Sequence, residues 1–528
     1  MTAYPRAFDE VYVISDLHMG GRRNAAENFQ IFNRGERLGR FISYVANQRK
    51  DGDVALVLNG DVFDSLAEDG ITSGVALDAP SALRMMDHLY KDESFAPVWD
   101  ALASFLGRPR RHLVIVIGNH DIELALSVVE YSIRDRLSGG ASDPLARLTF
   151  SVHGAGFVCQ VGDARVFCTH GNELDEWNWV DYSALGQLAN AINAGRTVEP
   201  SRWKANAGTQ LVVKVMNTVK RRFPFVDLLK PEVAAVAGVL LMLDPALVQQ
   251  LDLSTVLPIW RRKQQGTRVT SDLLGDYAVQ MLATDSRASA EEVAYELLGA
   301  NSRELAAASG AAVTEDELLL QVEMDRRSPG TPGARSNGGS ARAETLSGLD
   351  TLSAGEWFAR RLGLVSRPER LRRALQDWLS HDRTFNLRDV DDSLYVAMES
   401  RVADTIDFVV TGHTHLPRAM TYPGGCHYYN AGTWIRTLRL TEEVLADSEF
   451  FERNLWPMLQ GGRMSALDEA VIPGPGNQMV PLVLDRTNAV RIRTDGARVS
   501  GDLLRVRDNG VGGISVLPEE DTTALEAR

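Results

Sequence analysis

The chain has 528 residues, 44% of them hydrophobic and 24% charged, and a formal net charge of −14. At roughly 150 residues per domain, this length exceeds one compact core and implies two to four units. The acidic balance repels a polyanion at long range and so disfavours nonspecific nucleic-acid binding, and three scattered cysteines (Cys159, Cys168 and Cys426) exclude a disulfide framework or a thiolate metal site.

The N-terminal stretch has no basic segment followed by a long apolar run, so no signal peptide is expected. No window reaches the roughly 18 to 20 apolar residues that a membrane span needs. A cytoplasmic protein is expected, with its thiols reduced.

Short apolar runs at 11–15, 55–58, 113–117 and 166–169 read as strands covered on both faces. Helical patterns at 36–48 and 94–106 lie between them, and the alternation indicates an α/β layered fold. Residues 176–325 read as a helical insertion or cap. Residues 326–350, rich in Gly, Ser, Pro and Arg, read as a disordered linker or loop. Helical pattern resumes over 354–402, and strands return at 408–411 and 427–430. A candidate hairpin, 489–493 with 503–506, lies in the C-terminal extension, 441–528. The expected organisation is a core in two parts, 1–175 and 351–440, interrupted by the insertion.

Five strand ends carry oxygen and imidazole donors: Asp16-Leu17-His18, Gly60-Asp61-Val62-Phe63-Asp64, Gly118-Asn119-His120-Asp121, His170-Gly171-Asn172 and Gly412-His413-Thr414-His415. In open α/β sheets, residues just beyond the carboxyl ends of strands line the ligand crevice. A single Asp-x-His is weak, and Gly-Asn-His-Asp alone reads equally as a turn. Five such segments in order, each behind an apolar run, point to one metal-binding rim. Carboxylate with imidazole and no thiolate suits Mn²⁺, Fe, Zn²⁺ or Co²⁺ better than Ca²⁺ or Cu⁺.

The series D-x-H, G-D-x-x-D, G-N-H-D, H-G and G-H-x-H resembles the signature of the calcineurin-like metallophosphoesterases. The resemblance covers about 10–175 and 405–436. It implies a β-sandwich flanked by helices, in α-β-β-α layers, with two divalent metal ions, Mn²⁺ foremost. It implies that Asp16, His18, Asp61 and His415 hold one ion, and that Asp61, Asn119, His170 and His413 hold the other, with Asp61 bridging. His120 would be the catalytic imidazole and Asp64 its partner carboxylate. The implied reaction is hydrolysis of a phosphate ester or pyrophosphate by hydroxide held between the metals.

Ser65 follows Asp64 where related protein phosphatases carry a phosphate-gripping Arg, so Arg22 or Arg23 is the candidate substitute. The runs at 412–417 and 428–434 resemble the branch containing the UDP-diacylglucosamine hydrolases, which commonly have Arg where this chain has His120. A nuclease or cyclic-nucleotide phosphodiesterase is the enzymatic alternative, and a scaffold that kept the fold without catalysis is the non-enzymatic one. Residues 202–230 carry seven Lys or Arg against one acidic residue, beside an apolar run at 233–243. Peripheral contact of 202–243 with an anionic membrane is a further expectation, against the plainer one of a solvated helix face.

Overall fold

A computed structural model describes residues 5–21, 30–67, 78–139, 142–175, 177–198, 386–461, 464–496, 498–519 and 525–527, with scattered positions over 203–229 and 368–376. Arg22, Arg23, the 326–350 linker and most of the 176–325 insertion and the 202–243 patch lie outside the described residues.

Ten strands build most of the frame: β1 (Arg6–Phe8), β2 (Glu10–Ile14), β3 (Val54–Asn59), β4 (Arg111–Val116), β5 (Leu148–Ser151), β6 (Phe157–Val161), β7 (Ala164–Cys168), β8 (Phe408–Thr411), β9 (Arg418–Thr421) and β10 (His427–Asn430). Strands β2 to β5 run parallel in one sheet. A second, mixed sheet has the order β1-β6-β7-β8-β10-β9.

Side-chain alternation sets the layers. Val11 and Val13, Ala55 and Val57, and Val114 and Val116 face inward, against Cys159, Val166, Phe408, Val410 and Tyr429 of the second sheet. Their neighbours Tyr12, Ile14, Leu56, Leu58, Leu113 and Ile115 face the opposite way, under helices α1 (Gly35–Ala46), α2 (Ala79–Lys91), α3 (Ala96–Gly107) and α4 (Ser127–Ser138). Successive strand residues point to opposite faces, so a run buried on both sides must be apolar throughout. Helix α1 buries Leu38, Phe41, Ile42 and Val45, the spacing of one helical face. On the outer face of the second sheet, Val409 and Tyr428 pack with Tyr395 and Met398 of the helix Ser393–Glu399. These are the α-β-β-α layers of a calcineurin-like fold.

The C-terminal hairpin is longer than its sequence pattern, Thr487–Asp495 with Arg498–Asp508, and it sits inside the parallel-strand sheet. Thr487–Asp495 pairs antiparallel with β2, Val490 opposite Val13, and Ile514–Pro518 extends the sheet beyond the hairpin. Strands β1, β5, β6 and β9 carry no strong strand pattern in the sequence. They are short, and their pairing defines them more than their composition does. Among the described residues, no helix is long and apolar enough to cross a membrane.

Candidate metal centre

All five donor segments leave the carboxyl ends of strands: β2, β3 and β4 of one sheet, β7 and β8 of the other. The rim therefore straddles the seam between the sheets. Asn59, the last residue of β3, ties that seam by donating its side-chain amide to the carbonyls of Thr169, at 2.8 Å, and Val410, at 3.3 Å. The loops are also tied to one another. His18 N donates to the Asp61 carbonyl at 2.9 Å, His120 N to Asp61 Oδ1 at 2.9 Å, and His413 N to Asp16 Oδ2 at 3.0 Å.

Asp16, His18 and His415 form one donor group, and Asp61, His170 and His413 a second. In the first, His18 Nε2 and His415 Nε2 are 3.0 Å apart, and His415 Nε2 is 3.3 Å from Asp16 Oδ1. In the second, His170 Nε2 is 3.1 Å from Asp61 Oδ2. That same Oδ2 is 3.7 Å from His18 Nε2, so Asp61 stands between the two groups. Two ligands on one ion at bond lengths near 2.1 Å lie about 3 to 3.5 Å apart, which is the spacing found here.

Several donors lack any other partner. His170 Nδ1 donates to the Asn59 carbonyl at 2.9 Å, which fixes the tautomer and leaves the Nε2 lone pair for a metal. Among the described residues that Nε2 finds no hydrogen-bond partner, and neither do His18 Nδ1, His415 Nδ1 or Asn119 Oδ1, all buried. Buried polar atoms are nearly always satisfied, so the bare His170 Nε2 and Asn119 Oδ1 fit a site built for cations, whereas His18 and His415 turn Nε2 rather than Nδ1 into their group. Asn119 stands on the loop whose next amide bonds Asp61, with its own side chain buried.

Backbone conformation singles out the same residues. Asp16, His18, Asp61, His413 and His415 all have φ between +49° and +70°. Among the described non-glycine residues only Arg49 and Arg110 share that region. A left-handed conformation costs a non-glycine residue about 1–3 kcal/mol and concentrates at functional sites. Glycine serves where a side chain would collide: a Cβ on Gly118 would lie 2.1 Å from Asp61 Oδ1, and one on Gly60, at φ +85°, would lie 2.4 Å from the His170 ring.

Electrostatics divides the histidines. Burial, reinforced by the charge of His120, pushes His18 down to about 3, so it is a neutral imidazole. Burial also opposes charge on His170, but Asp61 and Asp16 hold it up to about 10 in the metal-free protein. His120 is different in kind. Its Nδ1 donates to Asp64 Oδ1 at 3.1 Å, and its side chain is 21% exposed where His18 and His170 are covered. Burial disfavours its charge, yet Asp61 and Asp64 raise it to about 9.

Two further residues belong to the rim. Asp121 accepts from the amides of Gly118 and Val62, both at 2.7 Å, and so clamps the β3 and β4 loops together. Asp175 Oδ2 accepts from His413 Nε2 at 2.9 Å. The sequence shows Asp121 inside Gly-Asn-His-Asp without indicating a clamp. Nothing in it but an acid shortly after His170-Gly171 points to Asp175. The candidate substrate contacts Arg22 and Arg23 lie outside the described residues.

No curated protein and no solved structure matches the chain. A family model does match, over residues 10–213, and it is described as calcineurin-like phosphoesterase. The match takes in the donor segments after β2, β3, β4 and β7 and ends before His413 and His415, which the fold returns to the same rim. Residues 10–213 therefore carry a calcineurin-like phosphoesterase domain.

Proposed function

We propose that the protein is a metal-dependent phosphohydrolase that cleaves a phosphate ester or pyrophosphate bond at this rim. The observation that carries the reading is the position of Asp61, one carboxylate oxygen facing His170 on one side and His18 on the other. Asp16, His18, Asp61 and His415 would hold one divalent cation, and Asp61, Asn119, His170 and His413 a second. Mn²⁺ suits this donor set, as do Fe, Zn²⁺ and Co²⁺. When bound, such a pair supplies positive charge to phosphoryl oxygens and acidifies water.

The protein's own residues do the rest. Asp64 orients His120 through Nδ1 and favours its cationic form, which leaves Nε2–H as the proton available to a leaving oxygen. Its partial exposure is the access that this role needs. The likeness of 412–417 and 428–434 to UDP-diacylglucosamine hydrolases supports a branch of the superfamily and not a substrate, because those enzymes commonly have Arg where this chain has His120. Three free, buried cysteines are consistent with a reducing, cytoplasmic setting.

Metal analysis of the purified chain tests the reading, paired with hydrolysis of p-nitrophenyl phosphate and its bis ester under added Mn²⁺. About two metals per chain with turnover is the expected result. No bound metal and no turnover with any divalent cation would overturn it.

A further inference from the structure

A chain of net charge −14 gathers three arginines, Arg486, Arg505 and Arg507, at one corner of its parallel-strand sheet. The C-terminal hairpin sets them there. Val490 and Ile492 of Thr487–Asp495 and Leu503 of Arg498–Asp508 face inward, toward the second sheet. Successive strand residues alternate faces, so Asn488, Arg505 and Arg507 share that inner side. Asn488 lies opposite Arg505, Arg505 opposite Leu517, and Arg507 opposite Ser515. Leu517 is 62% exposed, so the second sheet does not cover this corner.

The corner adjoins the candidate metal rim. Thr487–Asp495 runs antiparallel to β2 with Val490 opposite Val13, which puts Asn488 level with Ser15, the residue before Asp16. Side-chain contacts close the gap. A Cβ on Gly432 would lie 3.4 Å from Asn488 Oδ1 and 3.3 Å from Pro417 Cβ. Ser15 Oγ donates to the Gly432 carbonyl at 3.2 Å, and Thr433 Oγ1 to the Asp16 carbonyl at 2.8 Å. A single turn of chain, 432–433, therefore joins Asn488 to Asp16. The strand of Arg505 and Arg507 is the second from β2, about 10 Å away.

Carboxylates do not match these arginines. Glu519 Oε1 accepts from Arg486 Nε at 3.0 Å and from Asn488 Nδ2 at 2.9 Å. The carboxylates of Asp485 and Asp508 accept from Arg37, at 3.2 Å and 3.0 Å. Arg505 donates to a backbone carbonyl, that of Asp485, at 2.8 Å. Among the described residues neither Arg505 nor Arg507 forms an ion pair. Both are half-buried, with Nε covered and without a hydrogen-bond partner. Burial lowers the Arg505 pKa; Glu519 opposes this, and the charges of Arg507 and Arg486 reinforce it. Like charges packed together on an open face make an anion site.

We propose that Arg505 and Arg507 hold a second phosphate group of the substrate while the scissile one sits at the rim. The inference rests on the phosphohydrolase reading and narrows its substrate to a molecule with a further phosphate about 10 Å from the bond that is cleaved. A planar guanidinium presents a fork of donors that matches phosphate oxygens, and a neighbouring pair offsets both charges of the group. The hairpin thereby gains a part in recognition as well as in closing the sheet.

The test measures phosphate release by the full-length, Mn²⁺-loaded protein from a ladder of linear alkanediol bisphosphates, each against the alkyl monophosphate of the same length. The best-matched bisphosphate should exceed its monophosphate in kcat/KM by about 10- to 100-fold, the worth of a charge-assisted contact, and the advantage should peak at one length. Combining Arg505→Gln with Arg507→Gln should abolish the advantage with bound metal retained. Combining Arg505→Lys with Arg507→Lys, which keeps the charge, should recover part of it. Hydrolysis of both classes by the wild type without preference at any length would overturn the assignment and leave the phosphohydrolase reading standing. An undiminished preference in the Gln variant would overturn it too, and so would loss of metal from both variants, which would make the arginines structural. Turnover of neither class with any divalent cation would end the phosphohydrolase reading, and this inference with it.

Discussion

His120 and His170 are both imidazoles held above their ordinary range by Asp61, yet they are wired for different work. His170 spends Nδ1 on a backbone carbonyl and turns a bare Nε2 toward Asp61. His120 spends Nδ1 on Asp64 and stays partly open to solvent. Replacing His120 with Ala should therefore leave metal content intact and slow turnover by about 10²- to 10⁴-fold. A paired metal assay and steady-state assay check this, and turnover equal to wild type would remove His120 from the mechanism. The same pair predicts a pH dependence in the metal-free protein. His120, raised to about 9, stabilises the fold fully below its unfolded value near 6.5 and loses that contribution as pH rises through 9. Asp64, held down to about 2 against burial by its bond from His120, contributes above its unfolded value near 3.9 and loses this as pH falls toward 2. The stability difference between wild type and Asp64→Asn should then be greatest between about pH 4 and 6.5 and shrink on either side. Urea titrations across that range measure it, and a flat difference would mean that the two charges are not coupled.

At the scale of elements, the loop after β7 decides how His413 presents itself. Its short 3₁₀ turn, Asn172–Leu174, delivers Asp175 to His413 Nε2. Asp175 is itself braced by Trp177 N at 2.8 Å and Asn178 Nδ2 at 2.7 Å. With Nε2–H committed, Nδ1 is the nitrogen left to bind metal. If the rim holds the two proposed metals, Asp175→Asn should weaken one of them by about 10- to 100-fold and leave the other in place. A metal titration resolves the two, and equal affinities in wild type and variant would mean that Asp175 does not orient the ligand. The legibility of the sequence divides along the same line. The runs EVYVI, VALVLN and FVVT are buried at every position, so they announce themselves as strands and their final residues as a rim. Asp175 meets a partner 238 positions away, and Asn217 reaches the Leu66 carbonyl from a segment with no motif. Such contacts exist only once the chain has folded. The left-handed backbone at Asp16, His18, Asp61, His413 and His415 is equally silent in the sequence, because Asp and His do not demand it as glycine would.

At the scale of the whole molecule, the two ends of the chain are one sheet. Thr487–Asp495 closes the edge of β2, the strand that presents Asp16 and His18. Trp434, fully buried, donates its indole N–H to the Asn488 carbonyl at 2.9 Å, and the buried Arg37 of α1 bonds Asp508 at 3.0 Å. A chain ending after Arg486 should lose cooperative unfolding and retain no metal, because it bares a strand edge and leaves a buried guanidinium without that carboxylate. Thermal melting by circular dichroism with a metal assay tests this, and a melt like that of the full chain would make the hairpin a mere appendage. The same closure has a consequence for the protein's birth. At about 5–20 residues per second on the ribosome, roughly 20–80 s separate the emergence of Asp16 from that of His413, and the hairpin that steadies β2 comes later still. A nascent or prematurely terminated chain thus carries loose carboxylates and imidazoles but no shaped cavity for an ion. On the metal-dependent reading proposed above, cation loading is a post-translational event, available only to copies whose synthesis ran through the hairpin.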